Sequence, residues 1–174
     1  MVIAKKRCIF VASMKKLEVM TTLMLCFLFW ACSAISDDDE VMERVKVGDR
    51  VPAFTVDVVV DGEMKTFSTS QLTGETVIIF FHTSCADCRR ELPRLNDYYL
   101  QHRDEPGFQM VAISRAEGAE TIASFWMEQG LQMPYSAQED RHIYDLFASS
   151  VIPRVYFVSA QGIVTRVLVE NLGI

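Results

Sequence analysis

Apolar residues alternate with polar ones in some parts of the chain and form continuous runs in others. Residues 54–60 and 63–67 are two strand-like segments joined by Asp61-Gly62, a pair that tolerates positive φ and predicts a hairpin turn. Residues 77–81 are all apolar, which indicates a strand buried on both faces of a sheet. The first half of the chain therefore predicts a hairpin followed by a central strand.

Helical spacing of apolar residues begins after residue 85 and is broken within residues 102–107. Residues 108–114 read as a second buried strand, residues 119–129 as a helix stopped by Gly130, and residues 141–148 as a short helix. Strands and helices that alternate in this way predict an α/β domain with three layers.

The last part of the chain predicts a closing hairpin. Residues 155–158 and 163–169 are strand-like and flank a turn at 160–162. Together with the segments before it, this hairpin belongs to one α/β domain, which we expect over residues 47–174.

The N-terminal part has the pattern of a secretory signal peptide. Lys15 and Lys16 precede an uncharged run at residues 19–31, and 13 residues are too few to span a bilayer of about 30 Å as a helix. We interpret residues 1–31 as the signal peptide, with translation starting at Met14.

A cysteine stands directly after this apolar run. Ala31-Cys32 resembles the lipobox of bacterial lipoproteins, in which the cysteine becomes the lipidated first residue of the mature protein. Residues 32–46, which include the acidic stretch 36–40, would then form a solvated tether. An ordinary signal peptide with a chance cysteine and an uncleaved anchor are the other interpretations.

The charge balance excludes one class of partner. From residue 32 onward the chain has 12 Lys plus Arg and 22 Asp plus Glu, a formal net charge of −10. Because phosphate binding needs a basic face, nucleic acid is not an expected partner.

Two cysteines carry the candidate chemistry. Cys85 and Cys88 follow the apolar strand 77–81 and open the predicted helix, so the first sulfur lies at the positive end of a helix dipole and the second lies one turn deeper. Asp87 lies inside the motif, and its charge opposes a thiolate at Cys85. The sequence therefore predicts a redox-active couple on the reducing side.

A structural zinc site would need two further ligands in a comparable pair. Beyond the cysteine pair, the mature chain offers Cys32, His82, His102 and His142, which do not form one. We therefore predict no metal and no cofactor other than the Cys85–Cys88 disulfide.

The sequence over residues 47–169 closely resembles the thioredoxin superfamily, and within it the exported TlpA and ResA-like thiol-disulfide oxidoreductases. The resemblance rests on three segments of this sequence. They are the opening Val-Gly-Asp-Arg-Val-Pro-Ala-Phe at 47–54, which is also similar to that of peroxiredoxins, the core from residue 77 to Pro93, and Val-Ile-Pro at 151–153. The resemblance implies a thioredoxin-like three-layer α/β/α sandwich with an N-terminal β-hairpin.

The family pattern assigns roles to five residues. Cys85 would be the nucleophile, Cys88 the resolving thiol and Glu91 a carboxylate that moves protons to or from the thiols, although Glu91 could also be an ordinary solvated helix residue. Pro153 would be a cis-proline that faces the disulfide, unless it is a trans loop proline, and Ile152 would present its backbone to the substrate.

The chain also departs from the family. Ser84 stands where Trp is usual, Ala-Asp fills the motif, and the usual C-terminal helix is missing before residue 174. The first two differences leave the potential and the substrate range open. The third indicates a shortened gene or a sheet face that meets a partner.

Two other functions compete with this interpretation. A peroxiredoxin-like thiol peroxidase would have Pro where Ile78 stands, and a Sco-like copper-binding module would use both cysteines and a distant histidine such as His142 but spaces its cysteines more widely.

The expected partners are disulfide-bonded client proteins, a membrane thiol reductant and the membrane itself through a lipid anchor. The expected location is the bacterial cell envelope, as a periplasm-facing or surface-exposed lipoprotein.

Overall fold

A computed structural model describes residues 43–173, so the predicted leader, Cys32 and most of the tether lie outside the described residues. The elements occur along the chain in the order β1 Thr55–Val60, β2 Glu63–Ser68, β3 Thr76–Phe81, α1 Ala86–His102, β4 Gln109–Ser114, α2 Ala119–Gln129, β5 Tyr135–Ser136, α3 His142–Asp145, β6 Arg154–Val158 and β7 Val164–Val169. Within this part of the chain, no helix is both long and apolar enough to cross a membrane.

One mixed sheet of seven strands organises the domain, in the order β2-β1-β5-β4-β3-β6-β7. β3 and β4 are parallel, as are β4 and β5, whereas the β1–β2 and β6–β7 hairpins are antiparallel. The predicted N-terminal hairpin is confirmed, and its turn at Asp61 and Gly62 has φ values of 52° and 79°. Both φ values are positive, as the residue pair predicts.

The two helices α1 and α2 lie on the same face of the sheet. Side chains alternate along β3, so Val77 and Phe81 point to one face, and Val77 is paired with Phe157 of β6. Tyr98 of α1 meets the Phe157 ring at 6.0 Å, and Trp126 of α2 meets the Phe81 ring at 5.0 Å. Right-handed crossovers that advance in one direction from β3 to β4 to β5 place both helices on this side.

The opposite face carries α3 and the segment that precedes β1. Phe80 of β3 packs against Phe147 at 4.8 Å and against Tyr144 of α3 at 5.4 Å, and Phe147 also contacts Phe54. All the β3 residues are buried, as the continuous apolar run predicts. The three-layer, thioredoxin-like α/β arrangement predicted from the sequence is confirmed.

Two details differ from the prediction. The helix predicted at 141–148 is one turn, His142–Asp145, and residues 146–147 continue as a turn. Strand β5 was not predicted, because it has two residues and is defined only by long-range pairing with Val59 and Ala112. β7 is the last regular element in the described range.

Candidate active site

The cysteine pair lies at the junction where β3 gives way to α1. Cys85 is the N-cap of α1, and its sulfur accepts a hydrogen bond from the backbone N–H of Cys88 at 3.4 Å. The backbone N–H of Cys85 donates to the carbonyl of His82 at 3.1 Å, which closes the turn. The first sulfur therefore occupies the place where a capping oxygen would sit, at the positive end of the helix.

The two thiols differ in exposure. Both are free thiols in this structure, Cys85 is half-buried and Cys88 is fully buried at 0% exposure. Burial raises the pKa of the Cys88 thiol well above its usual range, and its hydrogen bond to Cys85 raises it further. Arg115 and a backbone hydrogen bond at His82 oppose the shift without reversing it. Cys88 is thus held as a neutral thiol behind the accessible Cys85.

The proline segment before β6 faces the first cysteine. The Ile152–Pro153 peptide bond is cis, as the family resemblance implied, and the Cys85 thiol lies 3.6 Å from the carbonyl oxygen of Ile152. Both Ile152 and Pro153 are buried. The carbonyl of Ile152 is therefore within hydrogen-bond distance of the candidate nucleophile, although the two residues lie 67 positions apart.

A buried arginine secures that proline segment, and sequence reasoning missed it. Arg154 is 1% exposed, and its Nε donates to the carbonyls of Ser150 at 3.2 Å and Val151 at 3.1 Å. The Tyr144 hydroxyl also donates to the Val151 carbonyl, at 3.0 Å. Val151 has φ of 68°, a conformation that a β-branched residue rarely adopts, and these hydrogen bonds hold it there.

Glu91 is buried rather than solvated. It is 1% exposed, lies three residues after Cys88 on α1, and its two oxygens are approached by Arg90 Nε at 3.0 Å and Arg94 Nη1 at 3.6 Å. The interpretation of Glu91 as an ordinary solvated helix residue is therefore wrong. The 3.6 Å approach to Oε2 is not a hydrogen bond, so Oε2 has no hydrogen-bond donor within residues 43–173.

Asp87, the charged residue inside the motif, forms an ion pair with Arg90. Asp87 Oδ1 accepts a hydrogen bond from Arg90 Nη1 at 2.7 Å, and both side chains are about half exposed. Arg90 therefore partly offsets the Asp87 charge, which we expected to oppose a thiolate at Cys85. The expectation of a reducing couple then rests on a weaker electrostatic effect, and it stays a prediction.

A second buried carboxylate, Glu117, lies close to the turn and was also missed. It accepts hydrogen bonds from the Thr83 backbone N–H at 2.8 Å and from the Thr83 hydroxyl. His82 and Ser84 complete this side of the turn, with the His82 Nδ1 at 2.9 Å from the Ser84 hydroxyl. Nowhere in residues 43–173 are three His, Cys, Asp or Glu side chains grouped so that they could hold a metal ion.

A CxxC pair at the start of a helix, opposite a cis-proline on a mixed sheet, defines a thioredoxin-like domain. The sequence profile of the AhpC/TSA family matches residues 47–167, and the chain belongs to that family.

The chain is similar to three characterised or solved proteins. It is 26% identical over 131 residues to the thiol-disulfide oxidoreductase ResA of Bacillus subtilis, which covers 75% of this chain and 71% of the relative. A solution structure from Bacteroides thetaiotaomicron, of a protein proposed to be a protein disulfide isomerase, matches with a TM-score of 0.67 at 24% identity over 74% of this chain and 82% of that one. A reduced 2-Cys peroxiredoxin from Plasmodium vivax matches with a TM-score of 0.58 at 18% identity over 74% of each chain. The two structural matches show the fold alone.

Proposed function

We propose that this protein is a thiol-disulfide oxidoreductase that acts on protein disulfides through the Cys85–Cys88 couple. One observation carries the proposal: an accessible sulfur at the start of α1 stands in front of a buried thiol one turn away, and both are free to form a disulfide. The ResA relatives, which bear the name thiol-disulfide oxidoreductase, support the same activity. The couple is its own redox group, so the reaction needs no further cofactor.

The exchange proceeds in two displacements. The Cys85 thiolate attacks one sulfur of a client disulfide, a new S–S bond forms, and the second client sulfur leaves as a thiolate that takes up a proton. Cys88 then loses its proton and attacks the Cys85 sulfur, which releases the first client sulfur. In total, the client gains two electrons and two protons, and the enzyme ends with a Cys85–Cys88 disulfide.

The second displacement needs a proton acceptor because burial keeps Cys88 neutral. Glu91 is the best-placed carboxylate on the same helix: it is buried, it lies one turn after Cys88, and its Oε2 has no hydrogen-bond donor in the described part of the chain. We assign Glu91 the transfer of that proton. Arg90 and Arg94 offset the cost of burying its charge.

The client chain would run beside the proline segment. The Ile152 carbonyl lies 3.6 Å from the Cys85 sulfur, and a client backbone N–H placed there would hold the client disulfide against the nucleophile. Pro153 offers no N–H of its own at this position, so the segment presents an acceptor and does not compete as a donor.

Cysteine variants of the purified full chain test this function by the reduction of insulin disulfides. Cys85→Ser should abolish turnover, whereas Cys88→Ser should accumulate mixed disulfides, because only the resolving thiol is lost. Cys32→Ser, a cysteine outside the pair, is the matched control and should leave turnover unchanged. Equal residual activity in Cys85→Ser and Cys88→Ser would contradict the assigned roles.

Two assays separate the competing functions. Rapid turnover of hydrogen peroxide by the reduced protein would favour a thiol peroxidase, although Ile78 fills the position of the peroxidase proline inside buried strand β3. Tight, stoichiometric copper binding by the reduced protein would favour a copper-carrying module. We expect slow peroxide turnover and no such binding.

The setting that fits the sequence is the bacterial cell envelope. The short apolar run at 19–31, Cys32 and the acidic tether support a lipoprotein whose domain faces the periplasm or the surface, where a membrane thiol reductant would recycle the couple. The intact mass of protein extracted from membranes tests the anchor. A mature form without acyl mass, or one that starts after Cys32, would refute it.

A further inference from the structure

Glu117 is a buried carboxylate that the proposed reaction does not use. It lies in the loop between β4 and α2, is 8% exposed, and directs both of its oxygens at Thr83. The His82 Nδ1 lies 3.7 Å from Oε1. Burying a carboxylate costs free energy unless its hydrogen bonds are satisfied, and here a single residue supplies two of them.

Thr83 belongs to the turn that delivers the nucleophile. It lies two residues before Cys85, and its own carbonyl accepts a hydrogen bond from Arg89 Nη1 at 3.4 Å, one turn into α1. The neighbouring His82 carbonyl accepts the N–H of Cys85 at 3.1 Å. A change in the position of Thr83 would therefore move the start of α1 and the sulfur that caps it.

Glu117 is held firmly enough to act as a support. Its backbone N–H donates to the Gln138 carbonyl at 2.7 Å, and its backbone carbonyl accepts from the buried Ser114 hydroxyl at 3.0 Å. The preceding Ala116 has φ of 62°, which turns the chain so that Glu117 points back toward β3. The loop is thus fixed to β4 on one side and to the catalytic turn on the other.

The geometry excludes a proton relay through this group. Glu117 Oε1 and the Ser84 hydroxyl both approach the same nitrogen of His82, at 3.7 Å and 2.9 Å, whereas a relay needs one partner on each ring nitrogen. Among the described residues, the side-chain hydrogen bonds of Glu117 come from Thr83, and neither sulfur takes part in them. Its role is therefore one of position.

We propose that Glu117 is a positioning residue for the disulfide exchange described above: through its two hydrogen bonds to Thr83 it holds the turn that keeps the Cys85 sulfur at the start of α1 and opposite the Ile152 carbonyl. This inference deepens the proposed function and rests on it. It also predicts that hydrogen bonding at Glu117, rather than its charge, is what the site requires.

The test uses two substitutions at Glu117. Glu117→Ala removes both hydrogen bonds and should lower the rate constant for insulin reduction by about tenfold, since small displacements of reacting atoms have large kinetic effects. Glu117→Gln can keep a contact to each Thr83 group without the charge and should stay within about threefold of wild type. Glu120→Ala, which removes an exposed carboxylate from the first turn of α2, is the matched control and should have no effect.

Thr83→Val provides a second, milder change that keeps the side-chain shape. It should lower the rate in the same direction, and Glu117→Ala combined with Thr83→Val should be no slower than Glu117→Ala alone, because both remove the same hydrogen bond. All rates are compared at a folded fraction above about nine-tenths, set by urea titration. A structural role alone would not give both the rescue by Gln and this lack of additivity.

The outcomes separate this inference from the proposed function. Wild-type rates in both Glu117→Ala and Thr83→Val would overturn the positioning role, and so would a Glu117→Gln variant as slow as Glu117→Ala. Alkylation of Cys85 by iodoacetamide is measured on the same proteins and should slow in Glu117→Ala but not in Glu117→Gln. If wild type fails to reduce insulin, the proposed function fails, while the alkylation series still tests whether Glu117 positions the sulfur.

Discussion

The buried thiol of Cys88 should make the stability of the reduced protein fall at alkaline pH. Burial raises the pKa of Cys88 in the folded state, whereas a thiol in the unfolded chain has a pKa of about 8.5. Above that pH the unfolded state releases a proton that the folded state retains, so unfolding becomes more favourable as pH rises. The stabilisation is complete below about pH 8 and is lost progressively above it.

The magnitude follows from the linkage relation. One group that ionises only in the unfolded state costs about 1.4 kcal/mol per pH unit once it is fully titrated, which amounts to about 2 kcal/mol between pH 8 and pH 10. Tyr98 and Tyr156, whose pKa values are raised to about 12 mainly by burial, act in the same direction only from about pH 10 upward. The window from pH 8 to pH 10 therefore reports chiefly on the cysteine.

Urea unfolding of the reduced protein at several pH values measures this effect, with Cys88→Ala as the control. Wild type should lose about 2 kcal/mol more than Cys88→Ala between pH 8 and pH 10, and the tyrosine contributions cancel in that difference. The oxidised protein should lack the loss, because its Cys88 has no proton to release. Parallel pH dependences for reduced wild type and Cys88→Ala would refute the reasoning.

Three further substitutions have defined outcomes. Gly74→Ala should lower the free energy of unfolding in urea by about 1 to 3 kcal/mol, because the added Cβ would lie 2.5 Å from the backbone oxygen of Gly107, and an unchanged value would mean that the loop shifts freely. Phe147→Ala should lower it by about 3 to 5 kcal/mol, since the ring is fully buried between the sheet and the N-terminal segment, and a loss below about 1 kcal/mol would contradict that packing. Asp87→Asn should raise the reduction potential, measured by equilibration with glutathione, by less than about 15 mV, because Arg90 already pairs with the carboxylate, and a rise above about 30 mV would show that the pair does not form in solution.

Local patterns were enough to predict most of the fold. The continuous apolar run predicted strand β3, and Asp61-Gly62 predicted the first hairpin, each from residues that are adjacent in sequence. α2 has the bounds that its periodicity predicted, because Gly130 ends it in the left-handed conformation at φ of 63°. β5 carries no such signal, since two residues become a strand only through partners far away in the chain.

The buried position of Glu91 could have been predicted from helical spacing. Residues 88, 91 and 95 lie three and four apart, so they share one face of α1 with the buried Cys88 and Leu95. A glutamate is usually exposed to solvent, but this helical spacing predicts a buried position. The ion pairs with Arg90 and Arg94 make that burial possible. A charged residue on the apolar face of a helix therefore indicates a buried polar group, which is uncommon and informative.

The contact between Glu117 and Thr83 could not be predicted in the same way. The two residues are 34 positions apart, and the contact depends on how the loop after β4 turns back toward the end of β3. β3 and β4 are parallel neighbours in register, Phe81 opposite Ser114, so the loops that leave their carboxyl ends meet at the same edge of the sheet. The sheet topology brings the two loops together, and the identities of Glu117 and Thr83 then allow the hydrogen bonds between them.

Burial, more than local charge, distinguishes the two thiols. Each carboxylate around the motif has a close polar neighbour: Asp87 and Glu91 form ion pairs with arginines, and Glu117 accepts hydrogen bonds from Thr83. Desolvation is the largest cause of the raised Cys88 pKa. Replacing one charged neighbour leaves that desolvation in place, whereas a change that opens the start of α1 to water removes it, because a solvated thiol ionises near its usual pKa. Substitutions that loosen the turn before Cys85 should therefore change the pKa of the Cys88 thiol more than substitutions that alter the charge of the motif.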